Sequence, residues 1–262
     1  MKTIRSTMPG RHRWPVQPND RGVGTRAPVI TARCLARGFG ILLASCAVPG
    51  VTQVLSGTAH NSFNGVWLIE DAISELRTAD GSLPPFLPDA AATYRENQTA
   101  LANGDRYFDR ATWCASPGVP RLQLVAHPFE IVVNPLQVAF LYEWNRWARL
   151  VEMSGAKFEV LYPMSFGTAT GRFDDDVLVI ETHGLMSDTV LDSSGMPHSD
   201  SLVMTERYRL IDENVLENRI RFEDDQTFSE PWETVVTYRR QSGQRIREDV
   251  CLDRIRQGLP AI

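Results

Sequence analysis

The chain has 262 residues, of which 43% are hydrophobic and 23% are charged, a balance typical of a soluble globular protein. Residues 1–59 hold eight Lys or Arg and one acidic residue, a charge of +7, whereas residues 60–262 hold 19 basic and 31 acidic residues, a charge of −12. Because the main part of the chain is acidic, its composition argues against nucleic acid as a partner.

The first 59 residues predict an export signal. Arg33 and Arg37 precede an apolar run from Phe39 to about Leu55, and small residues follow it. This charged, apolar, small-residue order is typical of a secretory signal, and we place its cleavage after Ala59. The prediction divides the chain into an extension, 1–59, and one domain, 60–262, exported to the periplasm or cell envelope.

Two other interpretations of the extension stay open. The sequence LASC at 43–46 resembles the lipobox of a bacterial lipoprotein, in which a lipid on Cys46 attaches the protein to a membrane. Otherwise the apolar run is an internal hydrophobic helix. A membrane span is not expected, because Pro49 interrupts the run and the run is short for a span.

The chain between the extension and residue 122 predicts one strand, one helix and loops. The opening strand lies within FNGVWLIED, 63–71, and a Pro-rich linker follows it. An Ala-rich stretch then predicts a short helix that has Asp89 as its N-cap and Asn103-Gly104 as its stop signal.

From residue 122 onwards the pattern predicts β structure throughout. Hairpins are expected around the Asp-rich turn 174–176, around 212–214 and around Ser242-Gly243, the last of them leading into a C-terminal strand. Hairpins at regular spacing are typical of an antiparallel meander or barrel. We therefore predict a mainly β fold, an antiparallel meander that closes into a barrel after one short helix.

Two cysteines, Cys114 and Cys251, lie in the part of the chain that follows the extension. A single pair in an exported protein predicts a disulfide bond, here between the start of the core and the C-terminal strand. The alternative is a pair of buried thiols.

Several segments resemble a large family of exported bacterial proteins, most of them uncharacterised. The segments GRFDDDVLVIET, LDSSGMPHSDSLVMTERYRL and PWETVVTYRR occur in this order. They are similar to the family's G-R-W-E-G-D-T-L-V segment, its P-H-S turn and its E-R strand. The resemblance implies a lipocalin-like (calycin-type) β-barrel and says little about chemistry. The sequence departs from the family at Phe173 and Asp175, which replace Trp and Gly, at Thr168, where a His is expected, and at His183.

The strand predicted over 202–210 carries the candidate site. Alternate residues share one largely apolar face, which we expect to line the barrel interior: Leu202, Met204, Glu206, Tyr208 and Leu210. An inward carboxylate has its pKa raised by desolvation unless a cation faces it. Arg149 or Arg221 is the expected cation.

The sequence supports a cofactor-independent acid/base mechanism. His198 would be the proton shuttle at the barrel mouth, and Glu206 would be its partner or a second acid/base group. Tyr208 or Tyr142 would polarise a substrate oxygen. The sequence has no nucleophile elbow, P-loop or dinucleotide motif, and no His pair at metal-ligand spacing. We therefore predict neither cofactor nor metal. The expected substrate-binding residues are Tyr142, Trp144, Arg149, Phe222 and Trp232.

Two functions fit this interior. One is an isomerase, dehydratase, cyclase or lyase acting on a hydrophobic or aromatic small molecule. The other is a non-catalytic binder or carrier of such a molecule in the cell envelope. A purely structural role for the two titratable groups also stays open, in which His198 bonds the backbone of its turn and Glu206 pairs with an Arg across the sheet. Convergence of His198 and Glu206 on one enclosed cavity would favour the enzyme.

Overall fold

The alternating apolar pattern produces nine strands, which close into a β-barrel within residues 60–156 and 162–262, the part of the chain that the computed structural model describes. The predicted mainly β barrel is confirmed. The strands are β1 (Gly65–Ile69), β2 (Phe129–Val133), β3 (Gln137–Tyr142), β4 (Ala148–Glu152), β5 (Thr168–Asp174), β6 (Val177–His183), β7 (Val203–Asp212), β8 (Val215–Glu223) and β9 (Trp232–Arg240). The helices are α1 (Pro88–Ala102) and α2 (Cys251–Arg256), and short 3-10 helices span Asn61–Phe63, Arg110–Trp113 and Arg121–Leu124.

Each strand pairs with the next one in sequence, and β9 pairs with β1 to close the barrel. Every pairing is antiparallel except that of β4 with β5, which is parallel and sets Val151 opposite Ala169. A parallel pair needs a longer connection than a hairpin, and the chain between these two strands provides it. The meander is thus antiparallel with one parallel step.

Burial alternates along the strands as the sequence predicts. In β7, Met204, Glu206 and Tyr208 are buried, whereas Arg207 and Arg209 are exposed. The same two-residue period in β8 and β9 places a second and a third row of buried side chains inside the barrel. Aromatic rings fill much of this interior, and each fully buried ring contributes about 1.5–3 kcal/mol of hydrophobic stabilisation. Among them are Trp67, Phe129, Phe140, Phe222 and Tyr238.

The two ends of the barrel are closed differently. At one end Arg240 lies over the Trp67 ring, 4.2 Å from its centroid, and donates hydrogen bonds to the carbonyls of Ser62, Asn64 and Glu213. Gly65 is required beside it, because a Cβ there would lie 2.7 Å from Arg240 Nη1 and its φ is +136°. This arrangement ties the last strand to the first.

The long segments 70–128 and 184–202 meet at the opposite end, where β7 begins and β8 ends; we call this the covered end. Leu76 N donates to Asp192 at 2.7 Å, and Ser199 N donates to Asp224 at 2.7 Å. Gln123, from the 3-10 helix Arg121–Leu124, reaches Tyr208 in the barrel. These contacts fix the loops that surround the candidate site.

The predicted disulfide is confirmed. Cys114 and Cys251 are bonded, with their Cα atoms 5.5 Å apart. The predicted C-terminal strand is wrong, since the residues after Ser242 form no strand and Cys251 is instead the first residue of α2. The physical reason is that β9 already pairs with β8 on one side and with β1 on the other, so it has no edge for a third partner.

Helix α1 differs from its prediction at one end. Its N-cap is Leu87, Pro88 occupies the first helical position, and Asp89 lies in the first turn without capping the helix. The predicted stop is confirmed, because Asn103 is the C-cap and Gly104 has φ +81°. The predicted export signal, cleavage site and Cys46 lipobox lie outside the described residues. Within the described ranges, no helix is both long enough and apolar enough to cross a membrane.

Candidate functional site

A group of buried polar side chains lies inside the barrel, and we call it the interior polar cluster. Its members come from seven strands or loops and are Gln123, Tyr142, Arg149, Thr182, Glu206, Tyr208, Asn218 and Tyr238. All eight are at most 3% exposed. Strand alternation places most of them, because each strand residue lies on the inward face of its strand.

The Glu206 carboxylate is at the centre of the cluster. Arg149 Nη2 donates a hydrogen bond to Glu206 Oε2 and another, of 2.7 Å, to Thr182 Oγ1. Tyr208 donates to Glu206 Oε1 at 2.7 Å, and Asn218 Nδ2 donates to the same oxygen at 3.4 Å. The predicted inward Glu206 is therefore present, and the cation that faces it is Arg149.

The tyrosines of the cluster are held in their protonated form. Burial raises the pKa of Tyr208 well above its ordinary value, and the Glu206 charge raises it further. Burial likewise raises the pKa of Tyr142 and of Tyr238. Tyr208 accepts a hydrogen bond from Gln123 Nε2 at 2.8 Å while it donates to Glu206. A tyrosine in this state acts as a hydrogen-bond donor and not as a base.

Several buried polar atoms of the cluster have no hydrogen-bond partner among the described residues. The donors are Arg149 Nε, Arg149 Nη1, the Tyr142 hydroxyl and the Tyr238 hydroxyl, and the acceptors are Gln123 Oε1 and Asn218 Oδ1. The Tyr142 hydroxyl lies near the Gln123 and Arg149 side chains, which act to lower its pKa, but makes no hydrogen bond of normal geometry with them. A buried polar group left unpaired costs about 1–3 kcal/mol. The cluster therefore has more unused donors than unused acceptors.

An open cleft of about 360 Å³ lies beside the cluster at the covered end. Tyr142 and Trp147 are among the residues that line it, and the Phe166 ring stacks on the Tyr142 ring with centroids 6.2 Å apart. Trp147 Nε1 is buried and has no partner among the described residues. Arg146 and Arg247 also line the cleft. Tyr142 thus lines the cleft and also belongs to the interior polar cluster.

His198 is buried, but it bonds within its own loop. Nδ1 lies 2.7 Å from the Ser199 carbonyl oxygen and Nε2 lies 2.8 Å from Thr189 Oγ1, whose hydroxyl also contacts the Met186 carbonyl at 2.8 Å. Burial lowers the pKa of His198, against the opposing effects of the Ser199 carbonyl and Asp224. Within the described part of the chain, no hydrogen bond joins His198 to Glu206. The structure brings Glu206 and Tyr208 together and places His198 in a separate network.

The other predicted binding residues divide between the cluster and the covered end. Tyr142 and Arg149 belong to the cluster. Phe222 and Trp232 stack on each other at 4.3 Å where β8 ends and β9 begins. Trp144 is fully buried and its Nε1 donates to the Ala261 carbonyl at 2.7 Å, so it holds the C-terminus. The alternative cation, Arg221, faces outward and pairs with Glu223 and Glu233.

Four residues of the cluster were not predicted from the sequence: Gln123, Thr182, Asn218 and Tyr238. Asn218 and Tyr238 carry a usable signal, since each interrupts the apolar face of an alternating strand. Thr182 carries a weaker signal. Gln123 carries none, because it lies in the 3-10 helix Arg121–Leu124, where the sequence predicts β structure instead.

The four positions at which the sequence differs from the segments it resembles, Thr168, Phe173, Asp175 and His183, lie in β5, in β6 and in the turn between them. Thr168 pairs directly with His183, whose half-exposed ring is 2.7 Å from Glu181. Phe173 stacks on His60 with centroids 3.5 Å apart. These contacts are on the outside or at the rim of the barrel and do not reach the interior polar cluster.

Among the described residues, one set of side chains has the composition and spacing to hold a metal ion, namely His127, Glu143 and Asp249, and it lies apart from the cluster. No protein-family model matches the chain, and the comparisons with curated proteins and with solved structures found no significant match.

Proposed function

We propose that this protein is a non-catalytic, lipocalin-like binder of a small molecule, and that Arg149 in the barrel interior takes a carbonyl oxygen of the ligand. The observation that carries the proposal is the set of unused donors around Arg149: its Nε and Nη1 and the Tyr142 hydroxyl are buried without partners among the described residues. A ligand oxygen that accepts hydrogen bonds from two or three of these donors removes the free-energy cost of leaving them unpaired in the barrel interior.

The charge balance favours an uncharged oxygen over a carboxylate. Arg149 and Glu206 already neutralise each other at close range. A ligand carboxylate would add a second negative charge at a site where both existing side chains are at most 1% exposed, and burial of an uncompensated charge is costly. A ketone, lactone, ester or amide oxygen accepts the same hydrogen bonds without that cost.

The cleft indicates the shape of the rest of the ligand. Its volume of about 360 Å³ is within the range of small-molecule sites, and aromatic residues such as Tyr142 and Trp147 in its lining suit a flat apolar body. Because the Tyr142 hydroxyl is buried, binding requires the Tyr142 side chain to move and open the path from the cleft to Arg149.

The binder is favoured over the acid/base enzyme by the partners of the two titratable groups. Glu206 is ion-paired with Arg149, and His198 is bonded to Thr189 and Ser199. An isomerase, dehydratase, cyclase or lyase that uses these groups stays a prediction, and loss of substrate conversion on His198→Ala would support it. The disulfide is compatible with an oxidising compartment, and export to the cell envelope is part of the proposal.

The test is isothermal titration calorimetry with 1-indanone and coumarin, their carbonyl-free analogue indane, and benzoate as the charged comparison. We expect a carbonyl probe to bind at one per chain and more tightly than indane or benzoate. Tyr142→Phe should weaken that binding about tenfold, the equivalent of about 1.4 kcal/mol. Tyr107→Phe is the matched control, because Tyr107 is 75% exposed and lies outside the cluster. Absence of carbonyl binding at about 1 mM, or equal affinity for indane, would contradict the proposal.

A further inference from the structure

We propose that His127, Glu143 and Asp249 form a binding site for a divalent transition-metal ion such as Zn²⁺, which fastens the C-terminal segment to the covered end of the barrel. One ligand atom from each residue lies within 4.8 Å of the other two. The site is separate from the interior polar cluster, and the proposal does not depend on the proposed small-molecule binding.

The three residues come from three separate segments of the chain. His127 lies just before β2, Glu143 follows β3, and Asp249 precedes α2. Such residues converge only through the fold, so a spacing motif in the sequence does not reveal them. Each side chain is half-buried and so keeps contact with solvent, from which an ion and its water ligand would come.

The backbone around the carboxylates is held in place without any ion. Trp144 and Asp249 form a parallel β-bridge, and Asn145 N donates to the Asp249 carbonyl at 2.6 Å. Asn145 also donates to the Cys114 carbonyl at 3.2 Å and accepts from Cys251 N at 3.3 Å, beside the disulfide. Glu143 and Asp249 are therefore positioned by the β3–β4 turn and the disulfide together.

The donor set and its spacing suit a transition metal. One imidazole nitrogen and two carboxylate oxygens are ligands that Zn²⁺ takes at about 2.0–2.2 Å, in sites that leave a fourth position for water. A tetrahedron with those bond lengths has edges of about 3.4 Å, and His127 Nδ1 lies 3.4 Å from Asp249 Oδ2. Imidazole favours Zn²⁺ and its neighbours over Ca²⁺ and Mg²⁺, which prefer oxygen ligands alone.

The charges around the site favour a cation. The two carboxylates carry two negative charges, and Arg254, whose Nη1 donates to Asp249 Oδ2 at 3.0 Å, offsets one of them. Arg254 is also held by the Pro260 carbonyl through Nε at 2.9 Å, so it can release Asp249 without losing its other contact.

The experiment titrates Zn²⁺ alone into chelator-treated protein with its disulfide intact, followed by calorimetry and thermal unfolding. We expect about one Zn²⁺ per chain with a Kd below about 100 μM, and a higher melting temperature with the ion bound. His127→Ala and Glu143→Gln should each weaken binding at least about tenfold. The matched control is His183→Ala, which removes a surface imidazole paired with Glu181 at 2.7 Å and should leave binding unchanged.

Three outcomes would overturn the proposal. They are no binding of Zn²⁺ below about 1 mM, equal binding by wild type and His127→Ala, or loss of binding in His183→Ala. Circular dichroism of each variant distinguishes loss of the site from loss of the fold. If His127→Ala does not fold, Glu143→Gln is tested alone, because amide replacement of a half-buried carboxylate changes no volume.

Discussion

Replacement of Glu206 by Gln tests whether the Arg149–Glu206 pair holds the barrel interior together. The change keeps the size of the side chain but removes the charge that faces Arg149, and it places an amide NH2 group at one of the two positions where the carboxylate accepts hydrogen bonds. Both side chains are at most 1% exposed, so water cannot replace the lost partner. Breaking a buried ion pair by removal of one partner costs about 3–5 kcal/mol.

That cost is a large share of the 5–15 kcal/mol that a typical domain has in total. For a domain of this size each kcal/mol lowers the melting temperature by roughly 2–4 °C, so Glu206→Gln should lower it by roughly 6–20 °C in thermal unfolding. Arg149→Met combined with Glu206→Gln should restore part of the loss, because no buried charge remains. The matched control is Glu70→Gln, which breaks the exposed pair with Arg239 and should leave the melting temperature unchanged. A Glu206→Gln variant as stable as wild type would refute the argument that this pair is buried and structural.

Three further predictions concern stability. Tyr208→Phe removes a hydroxyl that makes two hydrogen bonds and should lower the free energy of unfolding by about 1–3 kcal/mol. Tyr238→Phe removes a hydroxyl that has no partner among the described residues and should leave the free energy of unfolding unchanged. Equal losses for the two variants in denaturant titrations would contradict this difference. Replacing Cys114 and Cys251 by Ser opens a loop closed across 137 residues and should cost up to about 5 kcal/mol in denaturant unfolding, and a change below about 1 kcal/mol would count against it. Because the pKa of His198 is depressed in the folded protein, its contribution to stability is present above its ordinary value of 6.5 and is lost as pH falls below that value. Wild type should therefore lose stability between pH 7 and 5 more steeply than His198→Gln, and parallel pH profiles would show that His198 does not titrate in this way.

The features that follow from strand alternation could be predicted from the sequence. The inward face of β7, with Glu206 and Tyr208 among apolar residues, is confirmed because one face of the strand packs inside the barrel and the other faces water. The disulfide is confirmed as well. It could be predicted because Cys114 and Cys251 are the only two cysteines in residues 60–262.

The features that depend on the meeting of distant segments could not be predicted. Gln123 reaches Tyr208 from the short 3-10 helix Arg121–Leu124, and three separate segments bring His127, Glu143 and Asp249 together. The prediction of a final hairpin after β9 was wrong for a similar reason. The barrel closes by the pairing of β1 with β9, two strands far apart in sequence, and local turn residues give no signal of that pairing. The relation of His198 to Glu206 likewise depends on how the loop 184–202 packs.

The central claim is that Arg149 takes an oxygen atom of a ligand inside the barrel, and a crystal structure of the protein with the tightest-binding carbonyl probe tests it most directly. We expect the probe's carbonyl oxygen within about 3.2 Å of Arg149 Nη1 or Nε, with the Tyr142 side chain moved from its unliganded position and its hydroxyl donating to the same oxygen. A probe bound elsewhere, with Arg149 and Tyr142 in their unliganded positions, would contradict it.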